Sequence, residues 1–90
     1  MANTETRDVV LVCGEVIRGY RKKIDVSQEE LAYRANLDRT FVSRVECGLR
    51  LPTIKSLIQL GQALKISASE LVSKIEEKNN TGLSWAGRSL

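Results

Sequence analysis

Three residues, Asn36-Leu37-Asp38, constrain this chain more than any others, because they leave only three positions in which to end one helix and start the next. Asparagine is among the few side-chain-bearing residues that tolerate the left-handed conformation at a helix C-terminus. Aspartate is a strong N-cap, accepting a hydrogen bond from a free backbone N–H of the following turn. Apolar residues at helical spacing flank both sides, so a short helix over 28–35 must turn directly into another over 39–47. Helices joined this tightly cross at roughly 90–120° rather than lying antiparallel. Such a crossing needs a small residue at the contact, which Ala32 supplies, while Leu31, Ala35, Leu37, Val42 and Val45 would lock the pair onto a core.

The rest of the chain is punctuated in the same way. Ser27-Gln28-Glu29-Glu30 and Ser67-Ala68-Ser69-Glu70 are capping boxes, each bracketed by apolar residues (Val26 with Leu31, Ile66 with Leu71) that can close a hydrophobic staple. Leu37 and Val42 offer the same staple around Asp38, and Thr53 after Pro52 starts a further helix. Val9, Cys13, Val16, Ile17 and Tyr20 form one stripe on a first helix that ends in Arg21-Lys22-Lys23, where the helix dipole favours cations. Gly48 ends the third helix in the way Asn36 ends the second. Gly61, within the fourth, weakens it unless close packing requires the missing side chain. The expectation is an all-α fold, a compact five-helix bundle with helices near 9–23, 28–35, 39–47, 54–64 and 68–77. Residues 9–77 would form one domain and 78–90, with Trp85, a mobile polar tail; the polar residues 1–7 would fray.

On a helical wheel of the third helix, Val42 and Val45 define the buried side. Thr40, Ser43 and Arg44 fall opposite, and Arg39 projects from the first turn. That set suits the major groove of double-stranded DNA: arginine pairs bidentately with guanine, and hydroxyls bond bases or phosphates. Phe41 lies on the flank and can pack or meet a base or sugar. Gln28, Arg50, Thr53 and Lys55, at or beside helix starts, would bracket the groove with phosphate contacts. The net charge of +3 permits such a partner without requiring it.

Other functions find little to work with. The chain has no histidine and two cysteines, Cys13 and Cys47, far apart, so neither a metal site nor a nucleophile–base pair can be assembled, and no cofactor is expected. Without a glycine-rich phosphate loop or room for a deep cleft, an enzyme acting on a small-molecule substrate is not expected. The longest apolar run, Val9 to Cys13, is too short to span a bilayer and the N-terminus is unlike a signal peptide, so a cytoplasmic protein is expected. The alternative function is a helical protein-interaction module, such as an antitoxin or oligomerisation partner. It would show an acidic or apolar open face on the third helix, where this sequence has two arginines and two hydroxyls.

From Val16 to Val72 the chain resembles the Cro and phage-repressor (XRE-type) helix-turn-helix family, whose fold is the lambda-repressor-like DNA-binding domain. The residues that carry the resemblance are Ser27-Gln28-Glu29-Glu30-Leu31-Ala32, Leu37-Asp38-Arg39-Thr40, Val45-Glu46-Cys47-Gly48 and Pro52-Thr53. Asn36 departs from it, since the family usually has glycine there. The resemblance implies transcription regulation by a homodimer on a pseudo-palindromic operator, a phosphate contact from Gln28, and an ion pair between Arg21 and Glu46 that orients the third helix. Two stretches, 37–43 and 53–57, look most like the single-domain controller proteins of restriction-modification systems. One recognition helix covers few base pairs, so two copies about 34 Å apart would be needed for selective binding. Leu71, Val72 and Ile75 on the fifth helix are the expected interface.

Overall fold

A computed structural model of the chain describes residues 8–79. Within them the order is α1 (Val9–Lys23), α2 (Gln28–Ala35), α3 (Arg39–Glu46), α4 (Ile54–Leu64) and α5 (Ala68–Asn79), with no strand among the described residues. The fold is therefore the all-α five-helix arrangement expected. Two boundaries differ: α3 stops at Glu46 with Cys47 as its cap, and α5 continues to Asn79, so Lys78 and Asn79 belong to it. The remainder of the expected tail, Trp85 included, and residues 1–7 lie outside the described residues.

Each helix starts where a side chain can satisfy a free backbone N–H. Asp8 accepts from the Val10 N–H, Ser27 from Glu30, Asp38 from Thr40, Thr53 from Ser56 and Ser67 from Glu70. The Ser27 box closes from the serine side only, because the Glu30 carboxylate instead takes the Arg34 Nε at 2.8 Å, one helical turn on. Asn36 adopts the left-handed conformation (φ 59°), with the Leu37 N–H bonded back to the Ala32 carbonyl at 2.8 Å. Asp25 and Lys65 take that conformation after α1 and α4 as well, and neither carries the glycine or asparagine that usually announces it.

The core is a single cluster fed by every helix: Val12, Cys13, Val16 and Ile17; Leu31, Ala32 and Ala35; Val42 and Val45; Leu57, Leu60, Ala63 and Leu64; Leu71 and Ile75. α1 packs on α3 and α5, and α4 packs on α2 and α5, so the α2–α3 pair is clamped from both sides. Val12, not Val9, supplies the first buried position of α1, Val9 remaining exposed. Two glycines mark where backbones touch. A Cβ on Gly14 would collide with the Val45 carbonyl oxygen and stand 2.8 Å from that of Glu46, and one on Gly61 would stand 2.6 Å from the Ile66 carbonyl oxygen. The close packing that would justify Gly61 is thus present. No helix among the described residues is long and apolar enough to cross a membrane.

Candidate nucleic-acid interface

With Val42 and Val45 wholly buried, the other side of α3 is open. Arg39, Thr40 and Arg44 are exposed and Ser43 is half-buried; together with Leu49 they line a shallow depression of ≈ 290 Å³. Among the described residues its lining holds two guanidinium groups, two hydroxyls and no carboxylate. The surface is cationic and rich in donors, and among the described residues none of the core covers it.

α3 is short, and its orientation is set by what holds its ends. At the C-terminal end, Glu46 places a negative charge where the helix dipole is already negative, which is unfavourable by itself. Arg21 offsets it with a forked contact, Nε to Oε2 at 2.7 Å and Nη2 to Oε1 at 2.9 Å, and both side chains are largely buried (12% and 2% exposed). The hydrogen-bonded Glu46 pushes the Arg21 guanidinium further above the ordinary arginine value, against the opposing effect of burial. Arg21 also donates Nη1 to the Val26 carbonyl at 2.8 Å, so one residue of α1 ties the approach to α2 and the end of α3 together. At the turn, Gln59 of α4 donates Nε2 to the Ala35 carbonyl at 2.9 Å, pinning the α2–α3 corner. Sequence reasoning missed Gln59, and no local pattern could have revealed it.

The four residues assigned to phosphate meet different fates. The Gln28 amide donates Nε2 to Glu46 Oε1 at 2.9 Å, joining the Arg21 cluster and leaving one amide proton for another acceptor. Thr53 Oγ1 accepts from the Ser56 N–H and lies 3.1 Å from the Ser56 hydroxyl, so its side chain is occupied in starting α4. Lys55 is exposed beside a second depression of ≈ 450 Å³ between the α2–α3 turn and α4, where Phe41 and Gln59 also line the wall. Arg50 is exposed, with its guanidinium 5.3 Å from the centre of the Phe41 ring, a cation–π placement. Phe41 itself is half-buried against the core. A third depression of ≈ 480 Å³, between α1 and α5, mixes lysines and glutamates and contains none of these residues.

The residues expected at a subunit interface divide. Leu71 and Ile75 are buried in the chain's own core, at 0% and 8% exposure, and only Val72 is open. The reason is register: α5 needs Leu71 and Ile75, four residues apart, to close the bundle over α1 and α4. Among the apolar residues left outside, which also include Val9, Leu11, Ile24, Tyr33 and Leu49, three lie on or just before α4: Leu51, Ile54 (72% exposed) and Ile58. The cysteines are both free. Burial pushes the Cys13 thiol up to about 11, so it stays protonated at neutral pH, whereas Cys47 is exposed.

Comparison with known proteins agrees with this geometry. The helix-turn-helix profile HTH_3 matches residues 17–71, more than half of the chain. Control protein C.SmaI of Serratia marcescens is 36% identical over 75 residues, covering 83% of this chain and 89% of that protein. The crystal structure of the restriction-modification controller protein C.AhdI from Aeromonas hydrophila superimposes with a TM-score of 0.67 at 35% identity, over 69% of this chain and 94% of that one. C.Esp1396I bound to a 19 base pair DNA duplex superimposes with a TM-score of 0.71 at 33% identity, over 78% of this chain and 93% of that one.

Proposed function

Because this chain belongs to the HTH_3 helix-turn-helix family, we propose that it is a sequence-specific DNA-binding transcriptional regulator of the restriction-modification controller kind, acting as a homodimer in the cytoplasm. The observation that carries the reading is the open side of α3, where Arg39, Thr40, Ser43 and Arg44 share one depression free of carboxylates. An α-helix fits the major groove. There Arg39 and Arg44 pair with guanine edges, and Thr40 and Ser43 bond bases or adjacent phosphates. A protein-interaction module is disfavoured by the same surface, which is polar and cationic rather than apolar.

Phosphates fix the register of the helix in the groove. Arg50, held over Phe41, and Lys55 supply charge on the α4 side. Gln28 offers its second amide proton on the other side, oriented by Glu46. Thr53 contributes by capping α4, whose first N–H groups are then presented to a phosphate oxygen. The dimer forms through the apolar stripe of Leu51, Ile54 and Ile58, with Val72 the α5 residue available to extend it. A pair of recognition helices so joined reads two half-sites about one helical turn apart.

Selection of bound duplexes from a randomised pool tests the proposal. The expected product is a pseudo-palindrome with half-sites about 10 base pairs apart centre to centre. A pool that remains unenriched after selection sinks the regulator reading. The controller assignment further predicts an endonuclease or methyltransferase gene beside this one, and its absence would remove that part alone.

A further inference from the structure

The loop that follows α3 carries a side chain with no role in the contacts above. Leu49 is 69% exposed, yet its backbone is firmly held. Its N–H donates to the Arg44 carbonyl at 2.9 Å, the Gly48 N–H donates to that of Val45 at 3.1 Å, and Gly48 takes a φ of 76°. Both bonds belong to a Schellman closure, which sets the residue after the left-handed glycine beside the one that opens the last helical turn. Leu49 is accordingly placed by Arg44, and among the described residues it is the only apolar side chain lining the depression shared by Arg39, Thr40, Ser43 and Arg44.

A leucine fixed in a polar reading surface gains there by packing against an apolar group on the partner. Among base edges in the major groove, the thymine 5-methyl is that group. We propose that Leu49 is a specificity-determining residue whose side chain packs against a thymine methyl beside the base pair read by Arg44, so that the chain selects thymine at that position. The inference rests on α3 reading the major groove. The other exposed apolar residues of this region do not compete for the role. Leu51, Ile54 and Ile58 line none of the three depressions, and Arg50, between them and Leu49, turns onto Phe41.

The test uses the tightest-binding duplex that the full chain selects from a randomised pool. Each thymine in it is replaced singly by deoxyuridine, which removes only the methyl group. At one thymine per half-site, loss of the methyl should weaken the full chain about fourfold. Leu49→Ala should not distinguish thymine from deoxyuridine there, and Leu49→Met should retain the discrimination. Reselection with Leu49→Ala should lose thymine at that position and keep the rest of the site. Unchanged thermal melting would confirm that Leu49→Ala is folded, as expected for so exposed a side chain. The inference is overturned if no deoxyuridine position separates the two proteins, and the role of α3 then still stands on the selected site. It is overturned equally if Leu49→Ala weakens self-association without DNA, which would assign the leucine to the subunit contact. Failure to select any sequence would remove both readings.

Discussion

Arg44 and Lys55 are both exposed cations close to α3, and position alone separates what they do. Arg44 lines the depression proposed to face base edges, whereas Lys55 stands at the first turn of α4 against the helix-turn-helix corner. Arg44→Ala should therefore lose about 1–3 kcal/mol on the selected duplex and relax preference at one base pair. Lys55→Ala or Arg50→Ala should weaken all duplexes alike and reduce the salt dependence by roughly one counterion each. Binding titrations at several salt concentrations, on selected and scrambled duplexes, read both quantities; identical behaviour of the two classes would void the division. The wheel of α3 was legible because Val42 and Val45 fix its phase without outside help. Gln28 and Gln59 were not legible as structural partners, since each bonds a group on another helix, 18 and 24 positions away. Val9 was misplaced because Val9, Val10, Leu11 and Val12 run on without a polar residue, and only docking on α3 decides which of them turns inward.

The helices are held by features of opposite kind at their contacts and at their ends. Gly14 lets α1 approach the last turn of α3 so closely that any Cβ meets backbone carbonyl oxygens, which cannot swing aside as a side chain could. Gly14→Ala should lower the unfolding free energy by about 1–3 kcal/mol. DNA affinity should fall as well in the fraction that remains folded, because the displaced backbone carries Glu46. Lys65 presents the reverse case. It closes α4 in the left-handed conformation (φ 64°) despite its Cβ, so Lys65→Gly should raise stability by about 0.5–1 kcal/mol. Denaturant unfolding measures both changes, and opposite signs are the expected outcome. The helix starts were readable in the sequence because a cap is a local bond. Glu30 shows the limit, since Ser27 and Arg34 are both within its reach along one helix and the sequence alone does not rank them.

At the scale of the whole molecule, the question is which apolar surface remains after the bundle closes. Leu71 and Ile75 go inward, and Ile54 and Ile58 remain outside on α4. The double change Ile54→Glu with Ile58→Glu should abolish self-association in sedimentation while leaving the helical circular dichroism intact. It should also weaken binding to the two-half-site duplex at least about a hundredfold, as expected when linked half-sites become independent. Leu71→Glu, by contrast, buries a charge in the core and should unfold the chain. A folded Leu71→Glu monomer, or a persistent Ile54→Glu/Ile58→Glu dimer, would return the interface to α5.

From the sequence alone followed the five helices, their starts, the tight corner between α2 and α3 and the side of α3 that faces outward, because capping and helical periodicity act over a few residues. The family resemblance supplied the pairing of Arg21 with Glu46. Only tertiary structure decided that Gln28 joins that pair, that Gln59 pins the corner, that Thr53 is occupied as a cap, and that Leu71 and Ile75 turn inward while Ile54 and Ile58 stay outside on α4. Each of these is settled by which helices meet and at what register, and such contacts depend on the shape of the closed core rather than on any neighbouring stretch of chain.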